Sequence, residues 1–230
     1  MIRKFFIIFY FVVLIADLIS IYTGNESLRY ITKPLLMPLL VGYFVISTRA
    51  FVSSLKKWIV LALVSSWIGD MLLMFESINS KFFIWGLVAF LISHIFYILF
   101  YEIVIKVENI KKNYWWFIPV LIYYTILIYM LSPHLGDMKL PVRIYGVVIS
   151  YMLIQALQIS RINNKRAALL MILGAVLFIG SDSVLAVNKF YRPFELAGMA
   201  IMLTYGIAQL LITLGAERYI SSSSKHKFAE

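Results

Sequence analysis

The chain has 230 residues, of which 62% are hydrophobic, 16% aromatic and only 14% charged, and its mean hydropathy is +0.90. A soluble domain of this length could not keep so much apolar surface from water, so the composition points to a polytopic membrane protein. The net charge of +10 then reads as membrane topology rather than nucleic-acid binding, and the absence of cysteine excludes disulfides and thiolate chemistry.

Apolar runs of about 18–20 residues, long enough for a roughly 30 Å hydrocarbon core, recur along the chain. Lipid-spanning strands need only about 9–11 residues, so the runs predict helices and an all-α bundle. The first run, MIRKFFIIFYFVVLIADLIS, starts like a signal peptide but lacks an Ala-x-Ala cleavage pattern, and is read as an uncleaved helix. In all, eight spans are expected, at 5–22, 30–48, 58–75, 82–104, 115–131, 141–160, 167–187 and 194–215. They form a single transmembrane domain over 1–220, followed by a polar, disordered cytoplasmic tail over 221–230. Turn and charge signals mark the breaks, among them Gly24-Asn25, Lys56-Lys57, Ser132-Pro133, Asn163-Asn164 and Arg192-Pro193.

Of the basic residues, 14 fall on the side of the two termini and 7 on the other side. The positive-inside rule therefore places both termini in the cytoplasm, as an even number of spans requires, and suits a bacterial inner membrane or an equivalent cell membrane. Trp58, Trp85, Trp115 and Trp116 lie near span ends, where an interfacial belt belongs. A shift of 112 residues lays Asp70 on Asp182, Phe82 on Phe194 and Gly86 on Gly198. Two parallel four-helix repeats would produce that pattern, and so would coincidence in an apolar sequence of low diversity.

Asp70 and Asp182 lie about 12 and 15 residues into spans 3 and 7, roughly 18–22 Å from the cytoplasmic ends. A carboxylate there has lost its hydration, and intramembrane acids usually mark function. The two are at similar depth and are expected to face each other across a cavity. The structural alternative is that each merely pairs with Lys33 or Arg143 to fix helix register. Lys33, in Lys33-Pro34-x-x-x-Pro38, suggests a locally opened helix and a cationic mouth for an anionic group. Arg143 fits that role or simple snorkelling to the interface. His94 and Tyr97 share a face of span 4, and Tyr205 and Gln209 share one of span 8, which extends a polar lining. Asp17 is a third buried acid that fits the same network, and Glu102 is expected to snorkel. Ser181 and Ser183 flank Asp182, but nothing in the sequence supplies them with a base. Three histidines, one of them within a span, make no zinc site, and no P-loop, dinucleotide fingerprint or Gly-x-Ser-x-Gly elbow occurs. No metal and no cofactor are expected.

Taken together, Lys33-Pro34, Ser66-x-x-Gly69-Asp70 and Phe83-x-x-Gly86-x-x-x-Phe90-x-x-x-His94-x-x-Tyr97 resemble the YhhN family of membrane proteins. The resemblance continues through Tyr145 to Met152, Gly174-Ala175-x-x-Phe178-x-x-Ser181-Asp182-x-x-Leu185-Ala186 and Tyr205-x-x-Ala208-Gln209, and so covers spans 2 to 8. Characterised members of that family include lysoplasmalogenases. The resemblance implies hydrolysis of the vinyl ether of a lysoplasmalogen to a fatty aldehyde and a glycerophospho-alcohol. Such cleavage needs a general acid and a second carboxylate to stabilise an oxocarbenium ion and orient water. Asp70 and Asp182 are the expected pair, with His94 and Tyr97 positioning them. Lys33, Arg143, Tyr145, Ser181, Tyr205 and Gln209 are the expected substrate-binding residues, and a lysophospholipid drawn from the bilayer the expected partner. Two other classes fit the same buried acids: a proton-coupled transporter and a non-catalytic membrane scaffold.

Overall fold

Inside lipid no water is present to bond exposed backbone groups, so long apolar segments bond internally as helices. A computed structural model describes residues 2–226 of the chain. Among these residues there is no strand, and eight helices are long and apolar enough to cross a membrane. Their α-helical parts are α1 (Ile2–Thr23), α2 (Glu26–Thr48), α3 (Lys56–Met74), α4 (Lys81–Val107), α5 (Phe117–Leu131), α6 (Lys139–Gln158), α7 (Lys165–Ala186) and α8 (Ala197–His226), and 3-10 turns lengthen the fifth span to Tyr114–His134. Asn25 and Asn164 start α2 and α7 by accepting the amides of Leu28 and Ala167, each at 3.0 Å. Between α1 and α2 the chain turns at Gly24, whose φ of +67° suits a residue without Cβ. At its far end α7 passes into one π-helical turn, Val187–Tyr191, before Pro193 ends it.

Consecutive helices pair as hairpins: α1 with α2, α3 with α4, and α7 with α8. Six helices close a ring in the order α2, α3, α4, α6, α7, α8, with α8 returning to α2. Outside it, α1 packs on α2 and α8, and α5 packs on α6. Without a hydrophobic drive between helices in lipid, close backbone approach has to supply contact. The α7–α8 pair achieves it at Gly174, where a Cβ would stand 2.6 Å from Ile212 Cγ1 and 2.8 Å from the Ala208 carbonyl oxygen. The outward side of α5 (Leu121, Ile122, Ile126, Tyr129) is exposed and apolar, as a lipid-facing surface should be.

Both ends of the described chain lie on one face: Arg3 donates to the Ser47 carbonyl at 2.7 Å and stands 3.6 Å from Glu217. Two local expectations change. Helix α2 runs unbroken through Pro34 and Pro38 rather than opening there. The carbonyl of Pro34, denied the amide that Pro38 lacks, accepts the Trp67 indole N–H from α3 at 2.9 Å. Helix α8 continues to His226, so the expected tail begins as helix, and its residues 227–230 lie outside the described residues.

Candidate functional site

Asp70 is four residues from the end of α3, and Lys33 lies in the second turn of α2. The pairing of α2 with α3 brings Lys33 Nζ to 3.6 Å from Asp70 Oδ1, with both side chains buried. Taking two charges out of water is costly, so each holds the other in place. The second oxygen, Oδ2, accepts the Tyr205 hydroxyl from α8 at 2.7 Å. Behind Tyr205 the donors form a directed chain. Tyr97 donates to Gln209 Oε1 at 2.5 Å, and the Gln209 amide donates to Ser66 at 2.8 Å and, more weakly, to Tyr205 at 3.5 Å. Ser66 lies 2.7 Å from Ser93, which donates to the Ala62 carbonyl at 2.9 Å. Helices α3, α4 and α8 are thus tied by a buried network whose polar groups satisfy one another.

Asp182 sits four residues from the end of α7, just before the π-helical turn. Tyr145 of α6 donates a hydrogen bond to its Oδ2, and His94 Nε2 stands 3.4 Å from the same oxygen. His94 Nε2 also lies 2.9 Å from the Tyr145 hydroxyl. Tyr145 has one proton and gives it to Asp182, so the hydrogen of the His94–Tyr145 bond is carried by Nε2. Nδ1 of His94 is buried without a hydrogen-bond partner among the described residues. Asp182 Oδ1 makes no hydrogen bond there either, and the side chain keeps 17% of its exposure.

The two carboxylates do not face each other across an open cavity. The Phe178 ring packs edge-on against His94 of one cluster (centroids 4.7 Å apart) and Tyr205 of the other (5.4 Å). Three separate spaces are lined by residues of these clusters or their neighbours. A charged cleft of about 520 Å³ is lined by Glu26, Arg29, Tyr30, Lys33, Glu76 and Lys189, with Leu73 at one side. Leu73 also lines an apolar slot of about 40 Å³ that reaches Asp182 past Phe83, Phe90 and Phe190. A second slot of about 40 Å³ reaches Asp182 from between α5 and α6, past Tyr124 and Ile128. Phe90, which lines the first slot, packs closely on Gly69, where a Cβ would stand 2.7 Å from its ring.

Of the expected site residues, Lys33, Asp70, Tyr97, Tyr205 and Gln209 come together in the first cluster, and His94, Tyr145 and Asp182 in the second. Arg143 stands apart, its guanidinium donating to Ser132 at 3.3 Å near the start of α6. Ser181 ties α7 to α8 through the Ile201 carbonyl at 2.9 Å. Asp17 accepts from Thr32 at 2.6 Å. Glu102 does not snorkel free: Lys112 (3.1 Å), Tyr151 (3.0 Å) and Gln155 hold it. Sequence reasoning gave no site role to Trp67 or Arg29, and to Phe178 only a place in the family motif. Trp67 had a signal, since Pro38 orphans a carbonyl and an indole on the next span is a donor.

The YhhN family signature matches residues 28–216. Lysoplasmalogenase TMEM86B of Rattus norvegicus is 32% identical over 157 residues, covering 68% of this chain and 60% of that protein. Lysoplasmalogenase of Mycobacterium tuberculosis (strain CDC 1551 / Oshkosh) is 29% identical over 163 residues, 70% of this chain and 60% of the relative. Lysoplasmalogenase TMEM86B of Homo sapiens is 44% identical over 82 residues, 36% of this chain and 33% of that protein. The chain thus spans 60% or less of the length of these curated relatives. No solved structure matches it.

Proposed function

The chain belongs to the YhhN family, and from that premise we propose that it is a membrane-embedded lysoplasmalogenase, hydrolysing the vinyl ether of a single-chain lipid. The observation that carries the reading is the difference between the two buried aspartates. Asp70 has both oxygens engaged, one by Lys33 and one by Tyr205, whereas Asp182 has Oδ1 unbonded among the described residues, on the lining of two apolar slots.

Asp182 is therefore assigned as general acid and Asp70 as the fixed carboxylate. The head group rests in the charged cleft and the chain enters the slot beyond Leu73. Asp182 protonates the outer carbon of the C=C–O unit, and the positive charge moves to the carbon bearing oxygen. Asp70 stabilises that oxocarbenium ion electrostatically, and water adds to the cationic carbon. The resulting hemiacetal breaks its C–O bond to glycerol, giving the fatty aldehyde and a free glycerol hydroxyl, with one water consumed. The adding water gives up a proton, which restores Asp182, and Tyr145 and His94 orient that carboxyl group. The lipid comes from the surrounding bilayer. The charge bias orients both termini to the cytoplasm, in a bacterial inner membrane or an equivalent cell membrane, with the cleft on the outer side.

The test is aldehyde release by the purified protein from a lysoplasmalogen beside the saturated-ether lysolipid, run in D2O. The expected product is aldehyde from the vinyl ether alone, carrying one deuterium on the carbon next to the carbonyl. Aldehyde without deuterium would contradict carbon protonation, and no aldehyde from folded protein would contradict the activity.

A further inference from the structure

The two slots that reach Asp182 share Val142, Tyr145, Asp182 and Ala186 and differ in their remaining walls. The first is otherwise lined by leucine and phenylalanine alone, which suits an alkyl chain. The second adds four hydroxyl-bearing side chains, Tyr123, Tyr124, Ser150 and Ser183. Tyr123 belongs to α5, whose outward side faces lipid, yet its hydroxyl bonds that of Ser183 on α7, the residue after Asp182. Ser183 has one hydroxyl proton and donates it to the Ile179 carbonyl at 2.5 Å, so Tyr123 is the donor of the bond between them. The Tyr123 oxygen keeps a lone pair with which to accept, and Asp182 stands near enough to act on that hydroxyl electrostatically. Two side chains with an acceptor to spare, Tyr123 and Asp182, therefore line one small space at the reacting carboxyl group.

Hydrolysis inside lipid needs a place for its water. We propose that the second slot is the water site of the reaction, with Tyr123 and Asp182 each accepting one hydrogen of the water. The proposal rests on the vinyl-ether reading above and adds Tyr123 to it as a catalytic residue, with Ser183 positioning it. The slot measures about 40 Å³, more than the roughly 10–15 Å³ that one water needs, and two polar partners are enough to hold it. With both hydrogens held, the water oxygen presents a lone pair to the cationic carbon. That oxygen forms the new C–O bond, and one of its protons passes to the Asp182 carboxylate, which has just delivered its own. The chain lies in the first slot, so chain and water reach Asp182 along different walls.

The experiment sets water against methanol. Water can satisfy two acceptors and methanol, with a single O–H, only one, so the site selects water. The purified protein is given a lysoplasmalogen in buffer containing a fixed share of methanol. Capture by water ends in aldehyde. Capture by methanol bonds its oxygen to the cationic carbon, passes its proton to Asp182 and leaves a mixed methyl glyceryl acetal. The wild type is expected to release aldehyde almost exclusively. Tyr123→Phe removes one acceptor, so its ratio of acetal to aldehyde rises about fivefold, the equivalent of one hydrogen bond, while kcat falls and KM stays near wild type. Ser183→Ala, which unties the Tyr123 hydroxyl, raises the ratio as well. A tyrosine that merely fastens α5 to α7 would lower both products alike, and a product ratio does not depend on how much of a variant folds. Acetal from the wild type in the proportion given by free solution would overturn the water site. So would an unchanged ratio in both variants, and a shift in chain-length preference beside that unchanged ratio would give the slot to the alkyl chain. A wild type that releases neither product would overturn the hydrolase reading itself, and the water site with it.

Discussion

Lys33 and Asp70 are a charge pair with almost no access to water, 7% and 3% exposed. Such a pair adds little net stability as a pair, yet removing one member leaves the other charge stranded. Lys33→Met is therefore expected to lower unfolding stability in detergent by about 3–5 kcal/mol. Adding Asp70→Asn should recover most of that loss without restoring activity. A double variant as unstable as the single would show that the two side chains do not hold each other. Asp70 and Asp182 were legible in the sequence because acids inside apolar runs are rare. Their partners were less so. Lys33 was an expected partner, but Asp182 turns to Tyr145 and His94 rather than Arg143. Which residue meets which depends on how each helix is rotated about its axis, and spans that are apolar all round carry little periodic signal of that rotation.

Among the elements, α2 bears the most conflict. Two prolines inside it remove amide donors, but the helix stays continuous because α3 supplies a donor from the side. Trp67→Phe is expected to cost about 1–2 kcal/mol, the value of a hydrogen bond whose acceptor is left with no water to bond. Pro38→Ala restores an amide four residues after Pro34, so the Trp67→Phe/Pro38→Ala variant should lose little relative to Pro38→Ala alone. Equal losses in both backgrounds, measured by thermal unfolding, would remove the indole from this role. The π-helical turn closing α7 is the second irregular element. It carries Lys189 into the cleft and Phe190 into the adjoining slot, and no residue pattern in VNKFY announces it.

At the scale of the whole molecule, an all-α bundle of eight spans followed directly from run length, since lipid leaves few alternatives for a backbone. The closed ring of six helices did not follow, because it depends on which spans meet across the bundle. The four-plus-four repeat is a proposal supported by that ring. The 112-residue shift lays the α3–α4 hairpin on α7–α8 and Tyr97 on Gln209, its own hydrogen-bond partner. Orientation is directly testable because the chain has no cysteine. A cysteine at Ser80, exposed on the side of the cleft, should react with a membrane-impermeant maleimide in intact cells. One at Asn163, exposed on the side of the termini, should react only after permeabilisation. The opposite labelling would invert the topology and place the head-group cleft in the cytoplasm.

The central claim is that Asp182 delivers the proton to carbon, and steady-state aldehyde release by Asp182→Asn tests it most directly. Asparagine keeps the size of the side chain and an oxygen for the Tyr145 hydroxyl, so folding and lipid binding should persist. The account predicts a fall in kcat of about 100-fold or more, the usual worth of a positioned general acid, with KM and melting temperature close to wild type. A variant that keeps the wild-type kcat on the vinyl-ether lysolipid would contradict the account.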